Sequence, residues 1–416
     1  MRTSEAARYA RWAAVTATVL ALIAAGVYAW RQWQARQSQK DAPPVVPQTV
    51  QRQSEEFSFS KVEGERTLFT VRASQLTELR EGSKSLLEDV WITIYGRSGQ
   101  RFDNIHASKC DYLPAEGMIG CAGDVQIDLE SAEEAKERPG QRAIRIRTSN
   151  ISFDRETGRA HTSQPVEFQF EFGHGRGTGM SYSTEEAVVR LERDVHTTLT
   201  SAAGGRPMRE ALALSAAAME YRRDSRTMRL LGPVRAQQGL RELTAQAMAL
   251  EFDEQMRAQR LVANGAKGDA RPQLKWIEAD NSQQQLGADE FVARFANDGR
   301  VTQLTAQGNV HGTARGGERE DGLMAQAVVI EMDGRGEPQA LVARGEVRVE
   351  SQAGARQQRL ETEALRLELA GREAGGRSVS RGQTLAPALV ELREGDEVTR
   401  LRAAQLESDF GVRNRL

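Results

Sequence analysis

Residues 287–312 read GADEFVARFANDGRVTQLTAQGNVHG, and residues 324–349 read MAQAVVIEMDGRGEPQALVARGEVRV. Aligned without a gap, Phe295 falls on Met332, Gly299 on Gly336, Leu304 on Leu341, Gly308 on Gly345 and Val310 on Val347. Apolar residues keep period two in both copies: Phe291, Ala293, Phe295, then Val328, Ile330, Met332. Polar residues such as Thr305, Gln307, Arg344 and Glu346 fill the positions between. That alternation is a strand with one buried and one wet face. Glycine-containing turns at 297–300 and 334–336 make each copy a hairpin, and a period of about 37 residues marks a stacked β array. The expected fold is all-β: an extended β-jellyroll or β-solenoid array of stacked antiparallel hairpins behind an N-terminal transmembrane helix.

Gly123-Asp124-Val125 and Gly232-Pro233-Val234 repeat the Gly-x-Val of 308–310 and 345–347. Residues 212–219 and 243–252 are Ala-rich, which suits an amphipathic helix, but they align with the strand positions above, and strand is favoured. In the first half, short β-branched or aromatic runs such as 68–71, 90–95, 125–129, 151–153 and 166–172 begin at about Phe57, separated by turn signals at 96–99, 114–117 and 156–158. Residues 133–138 fit a helix or an exposed charged loop equally well.

Residues 12–30, WAAVTATVLALIAAGVYAW, carry no charge. As a helix they extend roughly 28 Å, enough for a bilayer core. Aromatic residues crowd both ends, and the following Arg31-Gln32-Trp33 is a poor cleavage site for a signal peptide. The expectation is a cytoplasmic tail at 1–11, an inner-membrane anchor at 12–30 and a Pro-containing tether at 31–56. The body then lies in the periplasm.

A net charge of −2 over 416 residues gives no global pull towards nucleic acid. Five histidines without His-x-x-x-His spacing and two cysteines argue against a zinc or haem site. No Gly-x-Ser-x-Gly elbow or phosphate loop occurs. Residues 173–179, GHGRGTG, open no helix pattern and read as a glycine-rich turn between strands. Glu185-Glu186 and Glu320-Asp321 read as solvated loops. No catalytic residue, metal ligand or cofactor is expected. A two-residue loop at Ala115-Glu116 sets Tyr112 opposite Ile119 and Cys110 opposite Cys121. The two cysteines are then either a disulfide or a reduced core pair, with a metal site a remote third.

Alternation places Phe69, Val71, Ile92, Ile94, Val125, Ile127, Phe153, Val166, Phe168 and Phe170 on one apolar face, with Phe291, Phe295 and Ile330 on the equivalent face of the repeats. In a closed sandwich this face is core. In a splayed one it is a groove for acyl chains.

Together these features resemble LptC, the periplasmic protein of lipopolysaccharide export. The resemblance rests on Thr67-Leu68-Phe69-Thr70-Val71, Ile105-His106-Ala107-Ser108, Cys121-Ala122-Gly123-Asp124-Val125, Asp154-Arg155-Glu156-Thr157-Gly158-Arg159-Ala160, Pro165-Val166-Glu167-Phe168 and Gly177-Thr178-Gly179-Met180-Ser181-Tyr182. It covers roughly residues 57–200. The repeats over 201–416 are similar to LptA/OstA-type jellyrolls through Ala306-Gln307-Gly308-Asn309-Val310 and Ala343-Arg344-Gly345-Glu346-Val347. The resemblance implies a transport bridge. Lipopolysaccharide is the cargo, the permease subunits of an inner-membrane ABC transporter are partners, and a further periplasmic jellyroll joins by strand-edge pairing at 401–416. The chain is about twice the length typical of that family. A closed β-solenoid scaffold of the envelope is the competing reading. An envelope enzyme is third, and lacks the cluster of acidic residues or histidines it would need.

Overall fold

The computed structural model describes residues 50–79, 84–95, 101–132, 144–170, 173–201, 207–253, 257–265, 271–278, 281–371 and 377–410. The anchor at 12–30, the tail before it, most of the tether, the turn at 96–99, the charged run at 133–138 and residues 411–416 lie outside these. Among the described residues no helix is long and apolar enough to cross a membrane. The described strands fall in one compact unit, Arg52–Leu416, apart from the first two residues of β1.

All regular structure among the described residues is strand. The first nine strands are β1 (Val50–Glu63), β2 (Arg66–Leu79), β3 (Ser85–Tyr95), β4 (Arg101–Leu113), β5 (Met118–Ala132), β6 (Ile144–Asp154), β7 (Arg159–Phe170), β8 (Gly173–Ser183) and β9 (Val188–Ser201). Short strands follow in β10 (Pro207–Ala216), β11 (Ala218–Arg222), β12 (Thr227–Gln238), β13 (Arg241–Phe252), β14 (Ala258–Asn264), β15 (Gln273–Ile277), β16 (Gln283–Gly287) and β17 (Glu290–Phe295). The series continues through β18 (Val301–Gly316), β19 (Arg319–Met332), β20 (Pro338–Ala353) and β21 (Arg356–Gly371). It ends with β22 (Arg377–Thr384), β23 (Ala388–Glu394), β24 (Glu397–Ala403) and β25 (Glu407–Asp409). The Ala-rich runs are strands β10, β11 and β13. Two sequence expectations shift. β1 begins at Val50, ahead of Phe57, in a polar run with no alternation to reveal it. The glycine-rich 173–179 is strand β8, not a turn.

Pairing is antiparallel throughout, and where a long strand is broken in two, as at β10/β11, β14/β15, β16/β17 and β22/β23, the pieces pair with the flanking strands, so the array is one continuous meander rather than a coil of parallel strands. The Gly-x-Val motif marks where the long strands break register: after Leu231, after Gln307 and after Arg344. Gly308 and Gly345 take φ of 75° and 76° there, a region costly for any residue with a Cβ. A Cβ on Gly308 would also lie 2.5 Å from the Asp289 carboxylate. The valine two residues on turns inward, with Val234, Val310 and Val347 all buried.

These bulges form a crease, and the sheet folds along it into two facing layers. The Phe69 and Phe153 rings, from β2 and β6, meet edge to face at 5.0 Å across the core. In one layer the inward positions connect Val71, Ile92, Ile105, Ile127, Ile146 and Phe168 through direct cross-strand register. By way of Gly175 and Thr197 that ladder continues through Leu214, Ala236, Leu243, Leu274, Leu286, Gly312, Leu323, Val349, Leu360 and Val390 to Leu401. At about 4.8 Å per strand it runs roughly 85 Å along the sheet.

Cys110 and Cys121 stand opposite each other and are disulfide-bonded. The connecting loop is a four-residue turn at 114–117, closed by Leu113 pairing with Met118, rather than the two-residue turn expected. The cysteine register is unaffected. Replacing both cysteines with serine releases a loop with a sequence separation of 11. The expected loss is about 2–3 kcal/mol of unfolding free energy, read by urea denaturation; an unchanged midpoint would show the bridge to be dispensable.

Candidate functional site

The site is the inward face between the two layers, and its character changes along the chain. Over β2–β9 the face is closed. Phe69, Val71, Ile92, Ile94, Phe153 and Val166 are at most 1% exposed, and Val125, Ile127 and Phe168 at most 6%. As packed, these side chains meet one another and present nothing to a ligand. From β13 onward, residues at the crease remain buried, including Phe291, Val328, Ala343 and Leu365. Those farther from it become half-exposed while staying apolar. On one wall these are Leu243, Leu274, Leu323, Val349, Leu360 and Val390. The other wall carries Leu261, Leu304, Ile330, Leu341 and Leu367, joined in direct register from β14 to β21. Phe295, Met332 and Leu369 extend that wall towards its lip. The half-exposed apolar positions therefore form a trough.

Of the sequence-derived candidates, Phe295 and Ile330 lie in this trough, and Phe170 is half-buried at the end of β7 beside Phe168, with ring centroids 6.1 Å apart. The others lie in the closed part or, for Phe291, at the crease. Alternation marked Leu304 and Leu341 as inward but gave no signal of partial exposure, because core and groove share one period.

A buried polar cluster stands where the closed part meets the following strands. Tyr182 Oη donates to Asp103 Oδ2 at 2.7 Å, and Arg223 Nη1 donates to the same oxygen at 2.5 Å. Burial, with the Asp103 charge beside it, pushes the Tyr182 phenol well above its usual range. In the alternate row of the same strands, Arg190 of β9 and Arg222 of β11 both donate to the buried Glu220 at 2.7 Å. The Arg190 hydrogen bond holds the Glu220 carboxyl below its ordinary range, against the burial that would raise it. A depressed folded-state value stabilises the fold above the ordinary glutamate range, and that stability disappears as pH falls through the folded value. Unfolding free energy should therefore decline below about pH 5, and Glu220→Gln should flatten that decline. An unchanged slope in denaturation measured across pH would exclude Glu220 as its source.

Arg315 reaches Glu320 and Arg319 reaches Asp321, at 2.8 and 2.9 Å, so these adjacent acids are strand-end ion pairs on β19 rather than loop residues. Glu185 and Glu186 do lie in a turn. Among the described residues no group of three His, Cys, Asp or Glu side chains is arranged to hold a metal.

Residues 18–200 match the family described as lipopolysaccharide-assembly, LptC-related. No curated protein matches the chain. The matched stretch contains the closed part of the sheet, β2–β9, and ends in the strand whose Arg190 reaches Glu220 of β11. By that match, and by the motif order of residues 67–182, this region of the chain is similar to the LptC-related family of lipopolysaccharide-assembly proteins.

Proposed function

We propose that the chain is a transport-bridge component that carries lipopolysaccharide with its acyl chains in the trough of β13–β24, receiving it from an inner-membrane ABC transporter and passing it towards the outer membrane. The observation that carries this reading is the trough itself: a ladder that stays apolar while its burial drops. Exposed apolar ladders of this kind are costly in water unless something covers them. The closed part, β2–β9, then serves as the anchored base rather than as the open path. OstA-like modules over 201–416, a periplasmic body and a single N-terminal anchor fit the same reading.

The last strands suit a partner jellyroll. β24 pairs only with β23 among the described residues, and it presents Val398 and Leu401 at 44% and 52% exposure. An unpaired apolar edge of this kind is a template for strand addition.

Co-purification tests the reading. The full chain, extracted from its own envelope in mild detergent and washed, is expected to retain lipopolysaccharide in near-stoichiometric amount. Its absence from folded protein would leave the closed scaffold as the better account.

A further inference from the structure

A second concave site lies outside the trough. On the outer face of β6–β9 a cleft of about 620 Å³ is lined by residues of four consecutive strands, with basic side chains from β6, β8 and β9. Direct register sets Arg147 beside Glu167, Glu167 beside Arg176, and Arg176 beside His196. The adjacent row sets Arg145 beside Gln169, then His174, then Thr198. Residues opposite one another on one face have Cβ atoms about 5 Å apart, so these groups converge on one opening.

Arg145 is committed to Asp128 at 3.2 Å. Arg147 and Arg176 are exposed, and neither has an ion-pair partner among the described residues. Glu167 between them offsets one charge and leaves the cleft cationic. Phe168 and Gly175 lie beneath it in the sheet, with the Phe168 ring on the inward side, in the room that a Cβ on Gly175 would need. Glycine at 175 is thus what lets the ring lie there.

We propose that this cleft binds the phosphate-bearing headgroup of a lipid. A guanidinium group matches phosphate oxygens bidentately, and Arg147 and Arg176 stand two strands apart across the cleft. The volume suits a headgroup larger than a free phosphate ion. The proposal is independent of the trough, since it concerns the opposite face of the sheet and a different set of strands.

The test titrates the full chain with dihexanoyl phosphatidic acid below its micelle concentration, with dihexanoyl phosphatidylcholine, and with inorganic phosphate. Phosphatidic acid is expected to bind most tightly. The R147E/R176E variant should weaken that binding at least tenfold, and Arg147→Gln alone about threefold. R294E/R344E, the same charge change at exposed arginines of β17 and β20, should leave it within twofold. Three results would overturn the proposal: no phosphatidic acid binding, equal loss in both double variants, or inorganic phosphate binding as tightly as the lipid. Trough variants that lose lipopolysaccharide should keep this binding, so the two readings fail separately.

Discussion

Replacing Asp103 with alanine is expected to lower the unfolding free energy by about 3–5 kcal/mol, the usual cost of removing one member of a buried ion pair. Asp103 and Arg223 have side-chain exposures of 1% and 7%. Without the carboxylate, a buried guanidinium and the Tyr182 hydroxyl both lose their acceptor. The position enlarges the effect. Asp103 stands on β4 of the closed part, and Arg223 follows β11, so the pair joins the two stretches of sheet. Denaturation followed by fluorescence should show a lower midpoint and a shallower transition as the two stretches lose their coupling. The triple replacement Asp103→Leu, Tyr182→Phe, Arg223→Met should recover most of the loss, because no charge of this cluster is then left buried. A cost below about 1 kcal/mol for Asp103→Ala would place the joint elsewhere.

The second large effect concerns cargo. Ile330 and Leu341 are direct cross-strand neighbours on the trough wall, and both are half-exposed. Arginine at both positions brings two charges to a surface whose proposed ligand is an alkyl chain, and a buried unpaired charge costs several kcal/mol. Lipopolysaccharide recovered with the protein should fall at least tenfold. The fold should survive, because a half-exposed arginine can turn its charged end to water. Val166→Arg provides the contrast. Val166 is 0% exposed in the closed part, so this change should unfold the protein rather than empty it. Normal lipid recovery by a folded Ile330→Arg/Leu341→Arg variant would separate the trough from the cargo.

Much of the architecture was legible from period-two alternation and the recurring Gly-x-Val, which gave the strands, the repeat and the opposition of Cys110 to Cys121. The reason for Gly-x-Val was not legible, because a left-handed glycine at a crease leaves no trace in hydrophobic period. Gly173, Gly175 and Gly177 misled for a related reason: alternate glycines signal a turn by composition, yet here they let β8 pack closely. A Cβ on Gly173 would meet the Thr198 carbonyl oxygen of β9 at 2.1 Å. The site was half legible. Alternation found the inward face, but how far the two layers separate depends on contacts such as Phe69 with Phe153 across the core. The Asp103–Arg223 pair spans 120 residues and has no local pattern at all.

The most direct measurement is photocrosslinking in growing cells from two adjacent positions of β19, Ile330 and Val329. Ile330 belongs to the inward ladder with Leu304 and Leu341, whereas Val329 belongs to the outward row with Thr305 and Val342. Lipopolysaccharide adducts are expected from Ile330 and none from Val329. Adducts of equal yield from both, or none from Ile330 in folded protein, would contradict that expectation.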